Sequence, residues 1–153
     1  MARFLSRPRR LWHCAWALLI MASGLTGCSS QPTGTTAPEG KLKMRRLLDC
    51  YSTYCSRNNN RAPQDEKAFR AFLEKQPPEE KKALDLPDNL DDLFTNPRDG
   101  QKFEVKWGAK PDALVTNRAL MWEKTGVGGQ RFVALANGYI ESFDEQRFNE
   151  LKK

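Results

Sequence analysis

Apolar residues recur at helical spacing over the first half of the region that follows residue 40. From Lys41 to the Asn58-Asn59-Asn60 run they return every three or four positions, which is the spacing of one buried helix face. This stripe consists of Met44, Leu47, Leu48, Tyr51, Tyr54 and Cys55. A second helix is predicted from an Asp65 N-cap to Gln76, where Pro77-Pro78 stops it, and a short third helix is predicted around residues 88–94.

After residue 100 the pattern repeats every two residues, which indicates β-strands. Strands are predicted at residues 103–107, 119–123, 131–136 and 139–143. The Asn137-Gly138 pair predicts a hairpin with a two-residue type I′ turn, and Asp144 is expected to cap a final helix that reaches Leu151. Helices followed by an antiparallel meander indicate an α+β fold, with a long N-terminal helix and short helices packed on three or four strands.

The first 27 residues differ in composition from the rest. Residues 1–10 contain four arginines and no acid, residues 11–25 are mostly apolar, and the polarity rises after Cys28. A basic start followed by an apolar run is typical of a secretory signal peptide. The apolar run is shorter than the roughly 20 residues that a membrane-spanning helix needs, so a retained transmembrane helix is disfavoured.

The end of the apolar run, Leu25-Thr26-Gly27-Cys28, resembles a bacterial lipobox. The resemblance implies cleavage before Cys28, lipidation of its thiol and anchoring in a membrane by acyl chains such as palmitate. The next residue is Ser29 rather than Asp, which by analogy with Gram-negative lipoproteins favours the outer membrane, facing the periplasm. The predicted organisation is a signal peptide at 1–27, a lipidated cysteine and flexible tether at 28–40, and a globular domain at 41–153.

Charge and histidine content narrow the classes of function. The whole chain carries a formal charge of +6, but the first 27 residues hold four unbalanced arginines, so +2 remains on the rest. They also hold the only histidine, His13. A body without histidine cannot assemble a Ser–His or Cys–His nucleophile, and a nearly neutral body is a poor nucleic-acid binder. We therefore expect no enzyme, no cofactor and no nucleic-acid partner.

Cys50 and Cys55 are the only thiols that remain free once Cys14 is cleaved away and Cys28 is lipidated. On one helix they would point about 140° apart and lie about 8 Å apart along the axis, which is too far for an unstrained disulfide. Three interpretations remain open: two packed core thiols, a disulfide if the helix ends near Cys50, and a redox or metal-binding pair.

Two other groups of residues invite a chemical interpretation. The acidic cluster Asp85, Asp88, Asp91 and Asp92 lacks the spacing and central glycine of a calcium loop, so helix capping and solvation are expected. Gly126, Gly128 and Gly129 are followed by no Lys-Ser/Thr pair, which predicts a turn rather than a phosphate loop.

The predicted strands also carry a candidate binding face made of aromatic residues. Its members are Phe103, Trp107, Trp122 and Phe132. If they share one face of the sheet, they would line a groove for a small ligand or a glycan. Aromatic residues at strand spacing, however, are usually part of a core.

Several motifs together resemble a known family. Asn60-Arg61-Ala62-Pro63 precedes the second helix, residues 95–100 (Thr-Asn-Pro-Arg-Asp-Gly) lead into Phe-Glu-Val-Lys-Trp-Gly, and residues 128–143 precede the final helix. Over roughly 41–150 the chain is similar to the pilin-like, or type II secretion pseudopilin-like, globular domains of planctomycete envelope proteins. Pilins begin with a prepilin cleavage site and a hydrophobic filament helix, whereas this chain has a lipobox and a polar tether there.

The resemblance implies a pilin head that is held on a lipid rather than in a filament. The leading hypothesis is a non-enzymatic, lipid-anchored cell-envelope protein that presents this head to an unidentified envelope protein. The alternative is a periplasmic module that binds a small ligand or glycan. We expect the soluble domain to be monomeric, because its first helix has a single apolar stripe and its own sheet covers that stripe.

Overall fold

The computed structural model describes residues 37–115 and 117–152, which belong to one compact unit. Cys28 and the lipobox lie outside the described residues. The helices and strands of the described part are α1 Ala37–Arg57, α2 Glu66–Glu74, α3 Pro78–Ala83, α4 Leu90–Phe94, β1 Glu104–Val105, β2 Ala119–Trp122, β3 Arg131–Leu135, β4 Ile140–Phe143 and α5 Glu145–Leu151. The strands form one antiparallel sheet in the order β1-β2-β3-β4. The predicted α+β class and the meander are therefore confirmed.

Helix α1 begins at Ala37 rather than at Lys41, so residues 37–40 are helical instead of belonging to the tether. The predicted apolar stripe is buried except for Tyr54, which is partly buried, and the helix packs against β3, β4, α2 and α4. It ends before Asn59 and Asn60, whose φ angles of 54° and 60° are left-handed. Asparagine tolerates this conformation better than most residues, which explains why the asparagine run ends the helix.

Of the three short helices that follow α1, the sequence predicted α2 and α4 but not α3. Asp65 caps α2 as predicted, because its carboxylate accepts a hydrogen bond of 2.7 Å from the Ala68 N–H. α2 ends before the two prolines, but Pro78 also begins α3, which the sequence analysis missed. A proline fits the first turn of a helix because its φ is preset and its missing N–H would have had no helical partner. α4 starts at Leu90 behind an Asn89 cap, two residues after the predicted start.

Strand β1 is only two residues long, although residues 103–107 were predicted to be extended. The backbone N–H of Phe103 donates to Phe94 O (2.8 Å) at the end of α4, and the N–H of Trp107 turns back to Val105 O (3.1 Å). Both N–H groups therefore donate outside the hydrogen-bond ladder between β1 and β2. Periodicity reports which side chains are buried, but not which backbone groups find partners in another element.

The sheet is covered on both faces. One core contains Leu120, Phe132, Ala134 and Ile140 together with the apolar faces of α1, α2 and α4. The second core, formed with Phe148 of α5, contains Ala119, Val133 and Leu135. The register of β2 against β3 shifts between Ala119 and Met121, so that one extra residue forms a β-bulge.

The β3–β4 hairpin forms where it was predicted, but its turn is of another type. The Leu135 N–H donates to Tyr139 O (2.8 Å) and the Gly138 N–H donates to Leu135 O (2.9 Å), so the loop contains three residues, 136–138. Gly138 has a φ of 89°, whereas Asn137 is not left-handed. This is a type I turn followed by a left-handed glycine, and the predicted type I′ turn is therefore wrong.

The turn generates a first prediction. Gly138→Val should lower the free energy of unfolding by about 1–3 kcal/mol, because a β-branched residue is strained at this positive φ. A Cβ atom at this position meets nothing within 4 Å, so the loss is conformational rather than steric. Gly138→Asn is the matched control and should lose less. Urea unfolding of the compact unit, which comprises residues 32–153, measures both variants, and equal stabilities for valine and asparagine would contradict the assigned turn.

Candidate functional site

The most deeply buried charges belong to an ion pair between Arg98 and Glu123. Nη1 of Arg98 donates to both carboxylate oxygens of Glu123, at 3.1 and 2.8 Å. The side chains are 8% and 0% exposed. Glu123 directly follows β2, and its Oε2 also accepts a hydrogen bond from the backbone N–H of Phe132 (2.9 Å). Each polar atom of the carboxylate is thus satisfied inside the protein, as a buried charge requires.

The guanidinium group of Arg98 has further partners that join separate parts of the chain. Its Nη2 donates to Val127 O (3.0 Å) in the turn before β3, and its Cζ lies 4.4 Å from the centroid of the Phe132 ring. Burial raises the pKa of Glu123, while the Phe132 N–H and the Arg98 guanidinium act in the opposite direction. Burial is the larger effect, so the pKa of Glu123 is raised, and the pair is a structural connection whose acid is costly to bury.

The loop that carries Arg98 is ordered by its own polar side chains. Oδ1 of the fully buried Asn96 accepts from the backbone N–H of Arg98 (3.1 Å), and its Nδ2 donates to Asp99 Oδ1 (2.9 Å). Thr125 Oγ1 donates to the other oxygen of Asp99. The Thr-Asn-Pro-Arg-Asp-Gly motif of the sequence therefore serves to position Arg98.

Gly40 of α1 lies against this loop. A Cβ atom at Gly40 would be 2.8 Å from Arg98 Cδ and 3.4 Å from Asn96 Oδ1. The sequence pattern predicts Gly40 in the tether and does not indicate that Arg98 and Glu123 pair. The available signal was an acid placed at the end of an otherwise apolar strand.

Three residues of the candidate aromatic face share one core, and the fourth, Trp122, does not. Phe103 and Phe132 are in the core beneath α1, and Trp107 packs against the same core, 6.1 Å from the Tyr51 ring. Trp122 lies on the opposite face of the sheet, where its ring centroid is 5.8 Å from that of Phe148. The predicted groove is therefore wrong, because Trp122 pairs with Val133 and alternation of strand side chains places it on the opposite face from Phe132.

Both cysteines of the described residues are core thiols. Cys50 and Cys55 are free and buried, so the candidate disulfide is not formed. Burial raises the pKa of Cys50 to about 12 and also raises the pKa of Cys55. The reactive species of cysteine is the thiolate, so both groups are inert near neutral pH.

Among the described residues, the acidic cluster and the hollows along α2 do not form a metal-binding or catalytic site. Asp85 pairs with Arg46, and Asp91 pairs with Arg70 at 2.7 Å. Within residues 37–115 and 117–152, no three His, Cys, Asp or Glu side chains are grouped as metal ligands. A hollow of about 480 Å³ lies along α2 and is lined by its charged residues, and one of about 210 Å³ lies between α2 and α4.

A separate surface feature lies near the start of α1. Leu42 is 67% exposed and borders a hollow of about 300 Å³ together with Lys41, Arg45 and the strand residue Ile140. We call these four residues the Leu42 patch. Arg45 Nη1 donates to Gly138 O (2.8 Å), which fastens the patch to the β3–β4 hairpin. In the sequence, the patch is indicated by a leucine that lies outside the buried stripe of α1 and between basic residues.

The close approach at Gly40 generates a second prediction. Alanine is favoured over glycine in a helix by about 1 kcal/mol, so Gly40→Ala would normally stabilise α1. Here the new methyl group overlaps the buried Arg98 side chain, and overpacking costs about 1–3 kcal/mol. We expect a net loss of about 1 kcal/mol in urea unfolding. The exposed neighbour Lys41→Ala is the control, and a stability gain from Gly40→Ala would disprove the contact.

A third prediction concerns the thiols. Folded protein comprising residues 32–153 contains only Cys50 and Cys55 and should release almost no chromophore from an aromatic disulfide reagent at about pH 8. Both thiols should react within the dead time once the protein is denatured. Fast reaction in the folded state would show that one of them is accessible.

Comparison with known proteins adds no family to this description. No family model matches the chain, and no curated protein or solved structure is significantly similar to it. None of the described helices is both long and apolar enough to cross a membrane. The functional proposal therefore depends on the residues and contacts of this chain.

Proposed function

We propose that this protein is a lipid-anchored, non-enzymatic component of a bacterial cell envelope that presents a pilin-like head to a partner protein. The observation that carries the proposal is the order of the parts. The lipobox-like Leu25-Thr26-Gly27-Cys28 is followed by a polar segment, by α1 from Ala37, and then by an antiparallel meander on which α1 packs. A helix that lies on a meander in this order is the arrangement of a pilin head.

The interior of the head supports a role in presentation rather than in chemistry. Its two thiols are buried with raised pKa values, and its most buried carboxylate is occupied by Arg98. The aromatic residues that would have favoured a ligand-binding module are divided between two cores. We further propose that the head is monomeric, because the apolar stripe of α1 is already covered by its own sheet.

Anchoring gives the fourth prediction. Cys28→Ala should abolish incorporation of labelled fatty acid and leave the precursor unprocessed, because the lipobox cysteine is the acceptor of the lipid. Cys14→Ala is the matched control, since this cysteine lies within the proposed signal peptide, and labelling should continue. The measurement is metabolic labelling followed by mass analysis. Acylation of the Cys28→Ala variant at the mature mass would refute the anchor.

The presentation part of the proposal is tested separately, by crosslinking in native membranes and purification of the full chain. A specific envelope protein should be recovered with the acylated chain and should be depleted with Cys28→Ala. A folded, acylated protein from which no partner can be crosslinked would refute this part of the proposal while leaving the anchor intact.

A further inference from the structure

The Leu42 patch has the composition of a surface that contacts a membrane. Leu42 projects into solvent from a helix whose other large apolar side chains are mostly buried, and the hollow beside it is lined almost entirely by apolar atoms. Lys41 and Arg45 flank it on the same side of α1. Apolar side chains surrounded by bases are the combination with which helices lie on anionic bilayers.

We propose that the Leu42 patch docks on the anionic headgroups of the membrane to which the protein is anchored. This inference rests on the proposed anchoring at Cys28. Docking would also orient the protein on the membrane, because the start of α1 and the β3–β4 hairpin would face the lipid. The opposite end of α1 would then be presented away from the bilayer.

The charge distribution favours an anionic partner. Among the residues that the structure describes, no carboxylate forms an ion pair with Lys41 or Arg45. The nearest acids along the helix are the exposed Glu39 and Asp49, and the Arg45 charge lowers the pKa of Asp49 against the larger, raising effect of burial, without an ion pair forming. An anionic surface would therefore supply a close partner for both bases.

The position of the patch along the chain favours the membrane as the source of that charge. Residues 29–36 can extend over at most about 28 Å between the proposed lipidated cysteine and α1. Lys41 and Leu42 lie in the second turn of that helix. A short connection keeps the patch at high effective concentration near the headgroups, so weak contacts suffice.

The patch also includes a residue of the sheet. Arg45 Nη1 donates to Gly138 O (2.8 Å), and Ile140 of β4 borders the same hollow as Leu42. One hydrogen bond therefore joins the two elements, α1 and the β3–β4 hairpin, that would face the lipid.

The test uses the acylated full chain in vesicles of phosphatidylcholine with or without phosphatidylglycerol. A fluorescent thiol label is placed at Leu42→Cys or, as the matched control, at Ser56→Cys. Ser56 is exposed on the same helix, about 21 Å further along its axis. Cys50 and Cys55 are buried, so the label should react only with the introduced cysteine. The readout is quenching by a nitroxide carried on the lipid headgroups.

We expect quenching at position 42 but not at position 56 in the anionic vesicles, with loss of the difference at high ionic strength. Lys41→Gln with Arg45→Gln should lower the ratio of docked to undocked protein about thirtyfold, whereas Lys41→Arg with Arg45→Lys should preserve it. Equal quenching at both positions, or no response to these charges, would overturn the proposal. Shielding of position 42 that requires added envelope protein would also overturn it and would assign the patch to a protein partner.

The same experiment separates failure of docking from failure of the anchor. If Cys28 carries no lipid, the label appears on Cys28 as well, and that result refutes the anchor alone. Quenching is then measured after the labelled protein is added to preformed vesicles. Docking is decided by the contrast between positions 42 and 56 in either case.

Discussion

The ion pair between Arg98 and Glu123 is the constraint on which the arrangement of the described domain depends. Glu123 is completely enclosed, and removal of one partner from such a pair costs about 3–5 kcal/mol because the other charge is left buried alone. The guanidinium group also binds Val127 O, and its stem lies against Gly40. One side chain therefore connects the end of β2, the turn before β3 and the start of α1.

This connection determines how α1 crosses the sheet and what it exposes. Near its start the helix approaches the Arg98 loop closely enough that only glycine fits at position 40. One turn later Arg45 binds Gly138 at the other end of β3. Between these two contacts Leu42 has no internal surface to cover it. The proposed membrane-contacting patch is thus a consequence of the same packing that closes the core, and it lies where the chain leaves for its proposed anchor.

A second arginine, Arg131, also binds Glu123 and packs on an aromatic ring, but on the opposite face of the sheet. Arg131 donates to Glu123 O (2.7 Å) and to Glu145 (2.8 Å), and its Cζ is 4.3 Å from the Phe148 ring centroid. Glu123 is therefore held through its side chain on one face and through its backbone on the other. These contacts hold the end of β2 between two cores. Trp122 is separated from Phe103 and Phe132 because it pairs with Val133, whose side chain lies on the opposite face of the sheet from that of Phe132.

Sequence alone determined the features that depend on local chemistry: the α+β class, the stripe of α1, the Asp65 and Asp144 caps and the existence of the β3–β4 hairpin. Periodicity and capping are properties of neighbouring residues, so they can be read without knowing the fold. The tertiary structure decided the pairing of Arg98 with Glu123, the helical role of Gly40, the β2 bulge and the exposure of Leu42. Each of these depends on which distant segment lies opposite, and a single sequence carries no direct record of that proximity.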